Sequence, residues 1–118
     1  MHWVRGVEEA DALTFTYAPF AERRILMMFG ASWDTASKEL ESVTFEDAAV
    51  RSLLNQHYIA AYVDFSDDED PRTRKAQERF KILGTPVVLV FTPRFEREVV
   101  RLNEYVSPAE LLARLSRA

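Results

Sequence analysis

A chain of 118 residues, 47% hydrophobic and 29% charged, has the composition of one globular domain able to bury roughly two-thirds of its unfolded surface. Its formal charge of −4 argues against a nucleic-acid partner, which demands a basic face, and no apolar run approaches the roughly 20 residues of a membrane helix, so a soluble protein without a membrane span is expected. With no cysteine, disulfides, thiol catalysis and thiolate-bound metals are excluded together. His2 and His57 are too few and too far apart for most metal sites, so neither metal nor other cofactor is expected. The first residues lack the apolar stretch of a signal peptide, and a chain without thiols fits cytoplasm and periplasm equally.

In chain order, His2–Gly6 reads as a short edge strand closed by glycine, and residues 7–17 as a helix with Glu8 and Glu9 complementing its N-terminal dipole. Leu13, Tyr17 and Phe20 recur at helical spacing, with Pro19 ending or kinking the helix. Ile25–Ala31 is nearly unbroken apolar sequence, the pattern of a central strand covered on both faces. A helix is expected from Thr35 to Val43, capped by Ser32 or Asp34, with Ala36, Leu40 and Val43 facing the core. Thr44, with Asp47 three residues on, predicts a capping box opening a second helix that runs through Val50, Leu53 and Leu54 to His57. His57 reads as a partner of that helix's C-terminal dipole.

Tyr58–Phe65 is the next strand, expected to pair with Ile25–Ala31. Ser66–Asp70 is an acidic, solvated loop offset by Arg72, Arg74 and Lys75. Asp70–Pro71 then predicts a helix over residues 71–82 with Ala76, Phe80 and Leu83 as its apolar face. Gly84–Thr85–Pro86 precedes the strand Val87–Thr92, where a proline at the first position is tolerated. A hairpin through Pro93–Glu96 leads to an edge strand, Arg97–Leu102, with one wet face. Ser107–Glu110 is a capping box for a terminal helix over 108–116 with Leu111, Leu112 and Leu115 inward. Parallel βαβ crossings followed by an antiparallel hairpin imply an α/β domain, residues 1–118, with a central mixed sheet flanked by helices on both faces.

The junction Phe29-Gly30-Ala31-Ser32-Trp33-Asp34-Thr35-Ala36-Ser37-Lys38 puts a helix start at the carboxyl end of a central strand, where ligands collect in such sheets. With Arg79–Phe80 ahead of Gly84–Thr85–Pro86 and the terminal helix, this run resembles the thioredoxin superfamily, in which a strand ends in Trp-Cys-x-x-Cys-Lys. Over residues 20–118 the resemblance is greatest to the C-terminal thioredoxin-like domain of the bacterial DsbD family of thiol:disulfide interchange proteins. It implies the thioredoxin fold, a cis Thr85–Pro86 bond, and a groove with Trp33 on one wall and Thr85 and Pro86 on the other.

Asp34 and Ser37 stand at the positions of the two family cysteines, and Met28 where many thioredoxins carry a buried acid. Disulfide exchange needs two sulfurs, so no catalytic residue is expected. Ser37 would need a base, and neither histidine falls at an element end that faces it. Asp34 reads as a helix cap or first-turn acid in the field of the helix N-terminus, Ser37 as a small polar helix residue, and Trp33 as core or exposed contact. The expected role is therefore binding of an unidentified protein or peptide. The alternatives are an oxidoreductase of this lineage whose cysteines were replaced, and an oligomerising module with an apolar patch on the Val99–Leu102 edge.

Overall fold

The computed structural model describes residues 1–118. Its middle strand is β2, Arg24–Gly30, in which every residue from Ile25 onward is buried. Side chains alternate across a strand, so β2 feeds two cores at once. Leu26 and Met28 join Leu40, Phe45, Val50, Leu54, Leu111 and Leu115 on one face, while Ile25, Met27 and Phe29 join Ala10, Ala76 and Phe80 on the other. Only a strand covered by helices on both sides is apolar throughout.

Around it stand β1 (Val4–Arg5), β3 (Tyr58–Asp64), β4 (Val87–Phe91) and β5 (Glu98–Leu102), in the order β1-β3-β2-β4-β5. β1, β3 and β2 are mutually parallel, whereas β4 runs antiparallel to β2 and β5 antiparallel to β4. Helices α1 (Val7–Thr16) and α4 (Pro71–Phe80) cover one face, and α2 (Thr35–Glu39), α3 (Ala48–His57) and α5 (Pro108–Arg117) the other. This is the mixed, helix-flanked sheet expected of a thioredoxin fold. No helix is long and apolar enough to cross a membrane.

Local signals account for most boundaries. Asp70 caps α4 through the Arg72 N–H at 2.9 Å, and Ser107 with Glu110 forms the expected capping box of α5. The acidic loop is offset as expected by Arg72 on Asp70 and Arg74 on Glu69, whereas Lys75 has no ion pair. Helix α1 ends one residue early, leaving Tyr17 half-exposed with its ring edge-on to Phe20 at 5.2 Å.

Three expectations are corrected. Thr44 does not open a helix: α3 is capped by Asp47, which accepts the Ala49 and Val50 N–H groups at 3.1 and 3.2 Å, while buried Thr44 donates its hydroxyl to the Val106 carbonyl. Val43 does not face the core, because Leu40–Thr44 is a π-helical turn closed by the Phe45 N–H on the Leu40 carbonyl at 2.9 Å. The additional residue in that turn rotates Val43 into solvent and puts fully buried Phe45 in its place.

The third is α4, which stops at Phe80 rather than 82. Lys81 adopts a left-handed conformation (φ 57°), the Ile82 N–H reaches back to the Gln77 carbonyl at 3.0 Å, and Arg101 of β5 donates to the Phe80 and Lys81 carbonyls. That reversal sends Ile82 into the core and leaves Leu83, expected on the apolar face, 99% exposed. Arg101 also pairs with Glu98 at 2.8 Å, so the β5 edge presents charge, with Val100 and Leu102 buried behind it, and not the apolar patch an oligomerising edge would need.

Candidate functional site

The corner is built from β2 outward. Beyond Gly30 the chain turns through Ala31–Trp33, with the Asp34 N–H bonded to the Ala31 carbonyl at 3.1 Å. Asp34 then takes extended backbone geometry and caps α2, its Oδ2 accepting the Ser37 N–H at 3.3 Å. The same oxygen accepts the Ser37 hydroxyl at 2.6 Å, and Ser37 Oγ accepts the Ala31 N–H at 3.3 Å. Ser37 is fully buried. The Asp34 cap is as expected, but Ser37 is more than a small helix residue. Together the two side chains bridge the two positions with a hydrogen bond and tie both back to the end of β2.

In that arrangement the hydroxyl and the carboxylate are committed to each other. The Ser37 hydroxyl keeps its proton and donates it in a hydrogen bond to the Asp34 carboxylate, its oxygen accepts the Ala31 N–H, and the side chain is fully buried, so a substrate has no access to it. His57 ends α3 immediately before Tyr58, which is in register with Arg24 at the opposite end of β2 from Gly30. His2 precedes Val4, whose partner is Ala61, and so lies toward that same far end. Met28, where the resemblance implies a buried acid in many thioredoxins, is packed in the core.

Behind the corner stands Tyr62 of β3. Its hydroxyl donates to Glu41 Oε2 at 3.2 Å, and a Cβ added at Gly30 would come 2.7 Å from that oxygen. Gly30 is thus required by close approach. Burial, reinforced by the facing Glu41 carboxylate, holds the Tyr62 hydroxyl protonated well above the ordinary tyrosine range.

Trp33 lies on the outside, 66% exposed. Its indole N–H donates to the Ser66 carbonyl at 3.3 Å, and the Ser32 N–H donates to Ser66 Oγ at 2.8 Å. Sequence reasoning missed Ser66, treating Ser66–Asp70 as mere solvated loop. A local signal was available: Asp64 two residues ahead of Ser66 forms an Asx turn, accepting the Ser66 N–H at 2.9 Å. What that turn touches was not legible.

Thr85 and Pro86 reach the same end of the sheet, because Val87 is in register with Phe29. The bond between them is cis, as the resemblance implied. Leu83, Gly84, Thr85, Pro86, Arg101 and Asn103 line a shallow groove of about 370 Å³. Trp33 is not among its walls; it stands at the same sheet end, outside the groove. Neither the backbone N–H nor the carbonyl of Thr85 has a partner within the chain, and its Oγ1 is shielded without one. A larger cleft of about 710 Å³ opens between α1, α4 and the end of β3, reaching Asp64 and Ser66, and several of its charges are already paired, Arg79 with Asp11 and Arg72 with Asp70.

Strand order and a capped helix after the central strand define a thioredoxin-fold protein, with a carboxylate and a hydroxyl where the resemblance implies the redox pair. A family model for the thioredoxin-like domain matches residues 13–118, and the chain belongs to that family. It is 30% identical over 115 residues to the thiol:disulfide interchange protein DsbD of Ralstonia nicotianae, an alignment covering 98% of this chain and 18% of that much longer protein. Among solved structures, the Thermus thermophilus thioredoxin matches with a TM-score of 0.78 at 22% identity, covering 99% of this chain and 87% of that one. The oxidised C-terminal domain of Neisseria meningitidis DsbD matches with a TM-score of 0.78 at 14% identity, covering 97% of each chain. At those identities the structures establish the fold alone.

Proposed function

We propose that this domain is a redox-inactive binding module that takes an extended segment of a protein or peptide across the corner formed by Trp33, Thr85 and Pro86. The observation that carries this reading is the unpaired backbone of Thr85. An N–H and a carbonyl left free beside a strand are a template for pairing with another chain, and backbone pairing of this kind is a recurring mode of peptide recognition. Trp33, with most of its ring in solvent, supplies the large rigid contact surface on which such interfaces depend. Asp34 and Ser37 keep the corner in one shape through their hydrogen bond where the family has sulfur chemistry.

The test is titration of the protein with short unstructured peptides free of cysteine, of apolar, acidic and basic composition, followed through the Thr85 amide and Trp33 indole resonances. Binding should shift both signals, and Trp33→Ala should weaken it roughly 10-fold, the worth of an anchor residue. Shifts confined to other surfaces would overturn the reading. So would thiol-independent turnover of any peptide.

A further inference from the structure

Ser66 has no part in the cap or the groove, yet the bonds that hold Trp33 converge on it. Asp64, the last residue of β3, is in register with Gly30, and the next residue, Phe65, donates its N–H to the Gly30 carbonyl at 2.7 Å. The sheet therefore sets Asp64. Its Oδ1 accepts both the N–H and the hydroxyl of Ser66. Ser66 in turn accepts the Ser32 N–H on Oγ and the Trp33 indole N–H on its carbonyl. The Ser66 hydroxyl thus links the end of β3 to the backbone just ahead of Trp33, and by fixing the turn it holds in place the Ser66 carbonyl that accepts the indole N–H.

An exposed tryptophan without such restraint samples several rotamers, and ordering it on contact with a partner subtracts from affinity. We propose that Ser66 is a positioning residue, which with Asp64 pre-orients the Trp33 indole for the incoming segment; this rests on the groove reading above. A mere loop-stabilising role would show in melting temperature and nowhere else.

The test uses the free protein first. The two tryptophans, Trp3 and Trp33, give separate indole signals, and Trp3, edge-on to Phe45 at 5.0 Å, is the internal control. In Ser66→Ala and in Asp64→Ala the order parameter of the Trp33 indole N–H should fall from the rigid range, about 0.85, to below about 0.6, with Trp3 unchanged. Ser66→Thr, which keeps a hydroxyl, should restore it. The cysteine-free peptides that bind the parent protein should then bind both alanine variants roughly 2- to 10-fold more weakly, the worth of one hydrogen bond. An unchanged Trp33 signal in both variants overturns the assignment, as does a lowered melting temperature with peptide affinity intact. A mobile indole in a protein that binds no peptide sustains the Ser66–Trp33 link and overturns the groove reading alone.

Discussion

Removal of the Asp34 carboxylate tests whether the bridge between positions 34 and 37 stabilises the domain. Asp34→Ala deletes the helix cap, a loss of about 1 kcal/mol. It also strips the acceptor from a fully buried Ser37 hydroxyl, which on its own costs about 1 to 3 kcal/mol. The hydroxyl regains part of this by turning to a carbonyl in the preceding turn, so the expected total is about 1.5 to 3 kcal/mol. Asp34→Asn should cost less than about 1 kcal/mol, because its single carbonyl oxygen can accept both bonds that Oδ2 accepts now, and only the charge in the field of the helix start is lost. Ser37→Ala leaves the buried Ala31 N–H without its acceptor and should cost about 1 to 2 kcal/mol. Since Asp34 and Ser37 share one bond, the double alanine variant should be less destabilised than the sum of the singles, with a coupling of at least about 0.5 kcal/mol. Urea denaturation followed by circular dichroism, with unchanged slopes, gives all four values. Additive losses, or an Asp34→Ala variant as stable as the parent, would refute the bridge as a stabilising unit and mark Asp34 as a residue retained for recognition.

Four further outcomes are expected. The parent protein should not accelerate dithiothreitol-driven reduction of a protein disulfide, whereas Asp34→Cys/Ser37→Cys should do so measurably; turnover by the parent would refute the reading of the corner. Gly30→Ala should destabilise by about 1 to 3 kcal/mol by forcing a methyl against the Tyr62 hydroxyl, and Tyr62→Phe in the same chain should recover part of the loss in melting temperature. With its folded-state pKa raised, Tyr62 favours the folded protein fully below about pH 10, where the unfolded tyrosine is also protonated, and that contribution is lost as pH rises further. The fall in stability above pH 10 should therefore be shallower in Tyr62→Phe, as denaturation at a series of alkaline pH values will report. Leu83→Ser should change stability by less than about 0.5 kcal/mol, while Ile82→Ala should cost about 2 to 5 kcal/mol.

The family and the layering of the domain were legible from residue order alone. Ile25–Phe29 announces a doubly covered strand, Asp70–Pro71 and Ser107–Glu110 announce helix starts, and Asp34 announces a cap, because each depends on neighbours within a few positions. What escaped depended on contacts between distant residues. The π-helical turn at Leu40–Thr44 shifts the phase of a helix whose spacing pointed to Val43, and it puts Phe45 in the core under Trp3 and Thr44 on Val106, some sixty positions away. The end of α4 is set by Lys81 turning left-handed under carbonyl bonds from Arg101 on another strand, which decides that Ile82 and not Leu83 is buried. That Asp34 and Ser37 stand where the family has its cysteines is what the resemblance implies; that the two side chains bond to each other was not legible in the sequence. Nor was the hold of Ser66 on Trp33, since those residues are 33 apart in the chain and meet only because β3 lies parallel and in register with β2. Periodicity and capping are properties of a local segment, whereas the phase of a helix, the burial of one side chain over its neighbour and the pairing of two loops are settled only when the sheet brings its strands together.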